Sequence, residues 1–277
     1  MAQTRFDFGV FDLLKNILSE AESRQLSALD MEYRAHRKRM APSVLQREFE
    51  RLTIELSWKS SRIEGNTYTL LETEALIQNH EAAPGHKKEE ATMILNHKKA
   101  LDFIRSHPSE FKKLSSRNIR EAHELLTRDL KIKRGFRQSP VGITGTRYRP
   151  PDNEHQISEA VKIMCDTVNA EPDFFAKAIL ASLLTAYIQP FEDGNKRTSR
   201  MIGNTILMAY RSCPLSYRSV NETEYKKAVI LFYEQNNLTY FKELFIGQFE
   251  FAVRNYFVSS VRLDSRKEIS SGQWLSD

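Results

Sequence analysis

Residues 174–188, FFAKAILASLLTAYI, are apolar on nearly every side of a helix. A helix with one apolar stripe can lie on a surface, but one that is apolar all round has to be enclosed. Any fold of this chain must therefore put this segment at its centre and pack other elements around it. The remaining sequence offers mostly helices for that purpose. Phe11, Leu14, Ile17 and Leu18 keep helical spacing within residues 8–40, and Leu45, Phe49, Leu52, Ile54, Leu56 and Trp58 do so within 43–64. Gly65 suits a left-handed helix end, and Thr69 with Glu72 spells a capping box for the next helix. Further helical patterns cover 89–106, 115–130, 157–170, 198–212, 221–235 and 238–258.

Only 10 of the 277 residues are glycine, and alternating apolar and polar runs are rare, so the expected class is all-α. The exception is GFRQSPVGITGTRYRPP, residues 135–151. Short β-like runs at Val141 to Thr144 and at Tyr148 flank Gly145 there, which predicts a β-hairpin. The Pro/Gly stretch at 79–88 divides an N-terminal helical extension, 1–87, from a core, 88–257. Residues 258–277 read as a loosely tethered tail.

Charge and cysteine usage narrow the function classes. There are 41 Lys and Arg against 36 Asp and Glu, a net charge of +5 with the two signs interspersed. The basic run Arg34 to Arg39 reads as a solvated helix face. It lacks the interleaved aromatics of a single-strand site, so nucleic acid is not an expected partner. No apolar run reaches the roughly 20 residues of a membrane span, and the N-terminus lacks a signal-peptide pattern. Cys165 and Cys213 lie far apart in sequence, as suits a reducing cytosol, and a cytoplasmic location is expected. Apolar residues on the N-terminal helices suit the core, with a homo-oligomer contact left open.

The chemistry is concentrated in YIQPFEDGNKRTSR, residues 187–200. Pro190 ends the central helix near Ile188, and a new helix begins near Asn195 after a tight turn. The first amides of that helix have no intrahelical acceptor and form a ready anion site, with Gly194 permitting close approach. Lys196 and Arg200 share one face, Arg197 lies on another flank, and Asp193 can take a hard cation such as Mg²⁺. The alternative is an ordinary helix start with surface cations.

The segment QPFEDGNKRTSR resembles the signature of the Fic family, H-P-F-x-D/E-G-N-G/K-R-x-x-R. Residues 135–151 resemble that family's target-docking flap and 221–244 its closing helices, so the resemblance covers roughly residues 90–255. It implies an all-α helical bundle carrying one hairpin flap and an N-terminal helical extension. It also implies transfer of AMP from ATP to a hydroxyl of a target protein. By that resemblance Asp193 holds Mg²⁺; Gly194, Asn195 and Lys196 cradle phosphate; Arg197 binds phosphates, and Arg200 the γ-phosphate. Val141, Gly142, Ile143 and Thr144 align the target backbone, and Tyr225 and Tyr233 contact adenosine. SSRIEGN, residues 60–66, resembles the family's inhibitory motif, S/T-x-x-x-E-G/N, with Ser60, Glu64 and Gly65 in place and Glu64 set to pair with Arg200.

Two positions depart from the family pattern. Gln189 stands where the family has its histidine base, and an amide cannot accept a proton near neutral pH. Loss of a general base typically lowers rates by about 10²–10⁴-fold. The chain is therefore expected to bind ATP yet transfer poorly, or to act as a non-catalytic nucleotide-binding module with a flap for a partner. Lys196 replaces the glycine of many AMP-transferring members, which leaves AMP or phosphate transfer open.

Overall fold

A computed structural model describes residues 4–258. The helices are α1 (Glu20–Arg39), α2 (Pro42–Ile63), α3 (Leu70–Asn79), α4 (Lys88–Ser106), α5 (Ser116–Thr127), α6 (Glu154–Ala170), α7 (Phe174–Ile188), α8 (Asn195–Ala209), α9 (Glu222–Gln235) and α10 (Thr239–Asn255). Short 3₁₀ turns occupy Phe8–Leu13 and Pro108–Phe111. The architecture is all-α. No described helix is long and apolar enough to cross a membrane.

Helix α7 lies at the centre, as its composition requires, with every residue from Phe175 to Ile188 buried. Asp173 caps it, its carboxylate accepting from the Phe175 amide at 2.8 Å. Its closest neighbour is α8. Gly203 faces Ser182 and the Ala178 carbonyl across that contact, and a Cβ on Gly203 would collide with the Ser182 hydroxyl. The missing side chain is what lets the two helices approach.

Helix α1 closes on α10, and α2 packs against both α4 and α8. Val10, Leu26, Tyr33, Leu56 and Ile63 share one apolar cluster with Ile179, Leu184 and Phe249, so the N-terminal segments contribute to the central core. A smaller cluster of Ile54, Tyr68, Leu76, Ile77 and Ile94 joins α2, α3 and α4. The Thr69–Glu72 capping box forms as expected, the Thr69 amide donating to Glu72 at 2.7 Å and the Glu72 amide to Thr69 Oγ1 at 3.2 Å. The basic run Arg34 to Arg39 ends α1, where positive charge suits the helix dipole.

Residues 135–151 are not a hairpin. The only β pairing among the described residues is one parallel bridge between Arg5 and Arg149. Pro140, Pro150 and Pro151 remove three ladder donors. Arg137 takes over the closing role: its guanidinium donates to the carbonyls of Ser139 at 2.8 Å and Pro151 at 2.6 Å, near the two ends of the segment. Tyr148 is drawn into the core, its hydroxyl donating to the Tyr187 carbonyl at 3.1 Å. The proposed tail from 258 onward lies outside the described residues apart from Val258.

Candidate functional site

Within the 187–200 motif, Gln189 and Glu192 to Arg197 form the floor of a cavity of about 220 Å³. Helix α7 ends in Gln189, which is left-handed at φ 49°, ψ 59° rather than extended, and its amide still donates to the Thr185 carbonyl at 3.2 Å. The turn that follows is stitched by Asn195, whose side-chain oxygen accepts from the Phe191 amide and whose nitrogen donates to the Phe191 carbonyl, both at 2.8 Å. Gly194 then starts α8 at φ 80° with no side-chain cap. That conformation strains any other residue, and a Cβ would also sit 3.0 Å from Thr127 Cγ2. The uncapped first turn of α8 is the kind of helix end that receives anions.

The site residues expected from sequence divide into three groups. Gln189, Asp193, Gly194, Asn195, Lys196 and Arg197 line the cavity with Val141, Gly142, Ile143, Thr144 and Glu64. Tyr225 and Tyr233 line a second, more apolar cavity of about 280 Å³. Ile143, Thr144 and Lys196 belong to both, so they form the partition between them. Arg200, Ser60 and Gly65 line neither. Gly65 has φ 95° and turns the chain just after Glu64.

Arg200 is 1 % exposed; its hydrogen bonds go to the end of α2, and its guanidinium lies 5.4 Å from the centre of the Tyr225 ring on α9. Its Nε donates to Ser60 Oγ at 2.9 Å, and Nη2 donates to the Ser60 carbonyl at 2.8 Å and to Glu64 Oε1 at 3.0 Å. Burial alone would lower its pKa, but Glu64 and Tyr225 outweigh that and hold it above the ordinary value. Glu64 Oε2 lies 3.6 Å from Lys196 Nζ. Arg197 is buried as well, which lowers its pKa; it donates to the Leu126 carbonyl at 3.3 Å and lies 3.8 Å from Asp193.

Three supporting residues went unnoticed in the sequence. Arg137 Nε donates to the Gln189 carbonyl at 2.7 Å, and its amide to the Pro190 carbonyl at 3.0 Å. His123, on α5, stacks on Phe191 with centroids 3.7 Å apart and ring planes 6° apart, and its Nε2 lies 2.9 Å from the Asp193 carbonyl. His97, on α4, lies 2.9 Å from Ser60 Oγ through Nε2 and 2.9 Å from the Met93 carbonyl through Nδ1. Burial pushes His97 down to about 3 and His123 down to about 4, so both imidazoles are neutral at pH 7. Neutral His97 donates from Nδ1 to Met93, which leaves Nε2 to accept from the Ser60 hydroxyl. Nothing periodic or motif-like marks these three residues in the sequence.

Gln189 Nε2 donates to the Ala186 carbonyl at 2.6 Å and lies 3.3 Å from the Tyr233 hydroxyl. The amide is therefore engaged by the protein and adds no proton acceptor of useful basicity.

Residues 113–207 match the Fic/DOC family. The chain is 27 % identical over 200 residues to Protein adenylyltransferase Fic of Drosophila willistoni, covering 70 % of this chain and 40 % of that protein. It is 28 % identical over 152 residues to Protein adenylyltransferase fic-1 of Caenorhabditis elegans, covering 53 % and 30 %. The chain thus spans about two fifths or less of the length of these curated relatives. In fold it is similar to a C. elegans Fic-1 fragment (aa134–508), with TM-score 0.72 at 21 % identity, covering 87 % of this chain and 73 % of that one. A Fic family protein from Desulfovibrio desulfuricans G20 gives TM-score 0.70 at 19 % identity, covering 94 % and 78 %.

Proposed function

Because this chain carries a Fic/DOC-family domain at residues 113–207, we propose that it is a Fic-type protein adenylyltransferase, restrained by Glu64 and weakened by Gln189. The observation that carries this reading is the uncapped start of α8 opening on a cavity flanked by Asp193, Lys196 and Arg197. That arrangement suits the polyphosphate of ATP. Backbone amides at Asn195 and Lys196 would donate to phosphate oxygens, joined by that of Gly194 once it leaves the Asp193 carboxylate, to which it donates at 2.6 Å, and Arg197 would add charge. Tyr225 and Tyr233, across the 143–144 partition, would take the adenosine.

Asp193 suits Mg²⁺. Its side chain is 72 % exposed, and its nearest cation, Arg197, is a loose 3.8 Å away. A hard cation of this kind is usually held by one or two carboxylates together with substrate phosphates. When bound, it would neutralise charge developing on the phosphates.

A target segment would lie along Val141 to Thr144, pairing through backbone in the sequence-tolerant manner of strand addition. Its hydroxyl would attack the α-phosphorus, a new P–O bond forming as the bond to pyrophosphate breaks. The hydroxyl proton needs an acceptor, and Gln189 provides none. Glu64 imposes a second restraint by holding the arginine that would meet the γ-phosphate.

The engaged Gln189 amide favours a second reading, a nucleotide-binding module without transfer activity. One experiment separates the two. A Glu64→Gly, Gln189→His double variant is incubated with a protein mixture and either α-labelled or γ-labelled ATP. Label transferred from α-labelled ATP alone supports AMP transfer. Label from γ-labelled ATP alone shifts the reaction to phosphate transfer, with the hydroxyl attacking the γ-phosphorus and ADP leaving. ATP binding with no labelling supports the binding module.

A further inference from the structure

The geometry points to Lys196 as the outer half of a two-cation lock on Glu64, one that a nucleotide diphosphate opens before the buried Arg200 is released. This deepens the nucleotide reading above and rests on it.

The two oxygens of the Glu64 carboxylate are divided between two cations. Oε1 lies 3.0 Å from Arg200 Nη2, and Oε2 lies 3.6 Å from Lys196 Nζ. The two cations are four residues apart on α8 and so share a face. They differ sharply in setting. The Arg200 side chain is 1 % exposed and the Lys196 side chain 30 %. Arg200 is also fixed by the Ser60 hydroxyl and carbonyl, so it keeps its place however the carboxylate moves. Glu64 is the only acidic partner Lys196 has among the described residues.

Position decides the order of events. Lys196 is the second residue of α8 and lines both cavities, so a phosphate arriving at the helix start meets it directly. Arg200 lies a turn deeper and lines neither. A longer, more exposed ion pair in higher effective dielectric is also the weaker of the two. A diphosphate therefore has to take only Lys196 from Glu64. A triphosphate has to take Arg200 as well. The lock is graded by phosphate number, and Lys196 serves first as its outer bolt and then as a phosphate ligand.

The test is a calorimetric titration of Mg²⁺–ADP and Mg²⁺–ATP into the wild-type chain, Glu64→Gln, Lys196→Met and the double variant. Methionine keeps the apolar stem of lysine, and thermal melts of each variant confirm folding. Glu64→Gln is expected to tighten ADP about fivefold while Lys196 is present, and by less than about twofold in the Lys196→Met background. For ATP the gain from Glu64→Gln is larger and persists in that background, because Arg200 is still freed. An equal ADP gain in both backgrounds overturns the inference and leaves nucleotide binding intact. If neither nucleotide binds to any of the four proteins, the nucleotide reading itself fails and takes this inference with it.

Discussion

Arg137 Nε donates to the carbonyl of Gln189 at 2.7 Å, tying the 135–151 segment to the end of the central helix. The same guanidinium reaches the Ser139 and Pro151 carbonyls, so a single buried cation sets how residues 135–151 stand against the motif loop. Its planar fork of donors is what allows three carbonyls to be served together, and an ammonium cannot reproduce it.

Arg137→Lys is accordingly expected to destabilise the protein by about 2–3 kcal/mol, because buried carbonyls lose their donors. Urea unfolding monitored by circular dichroism measures this. A midpoint unchanged from wild type would show that the segment is held by Tyr148 instead.

Glu64→Gln should move stability and nucleotide affinity in opposite directions. Arg200, 1 % exposed, loses its formal counter-charge but keeps both Ser60 contacts, so stability falls by about 1–3 kcal/mol. ATP affinity rises, because the guanidinium no longer has to be taken from a carboxylate. Thermal melts and calorimetry on one protein preparation read both effects. A variant that loses stability with no gain in ATP affinity would assign Glu64 a purely structural role.

The two buried histidines set an acid limit. Both have folded-state pKa values below their ordinary 6.5, about 3 for His97 and about 4 for His123. The unfolded chain therefore binds more protons than the folded one between those values and 6.5, and stability falls as pH drops through that window. The slope is up to about 1.4 kcal/mol per pH unit for each histidine. Urea midpoints between pH 7 and 4.5 test this, with His123→Gln expected to flatten the curve. A wild-type midpoint independent of pH over that range would refute the assignment of both rings as neutral.

Gly203→Ala should destabilise the α7–α8 contact by about 1–3 kcal/mol, since the new methyl meets the Ser182 hydroxyl and lies 3.3 Å from the Ala178 carbonyl. Ser182→Ala removes the worse of these clashes. The double variant should therefore recover part of the loss, and the recovery in a double-mutant cycle measures how tightly the two helices are packed.

Much of the fold could be read from the sequence because its signals are local. An all-round apolar segment has to be central, capping boxes and glycines mark helix ends, and Pro190 with Gly194 fixes the turn between α7 and α8. The cavity floor followed from the same short-range logic, since Asp193 to Arg197 are adjacent in the chain and their arrangement is that of one helix start. The 135–151 segment misled for a related reason. Its apolar runs and Gly145 satisfy the local pattern of a hairpin, yet its three prolines leave it short of ladder donors, and a cation within it favours closure through a side chain.

Contacts across the bundle belonged to tertiary structure alone. Arg137 to Gln189, His123 to Asp193, His97 to Ser60 and Lys196 to Glu64 each join residues 37 to 132 positions apart. Such pairs leave no periodicity, because side chains brought together by folding need complementary chemistry in space and no fixed spacing in the chain. The sequence by itself determined a helical bundle around residues 174–188 and a tight turn at 189–194 that opens α8. Only the packing of α2 and α4 against α8 decided that this turn would sit beneath a carboxylate divided between a buried arginine and a half-exposed lysine.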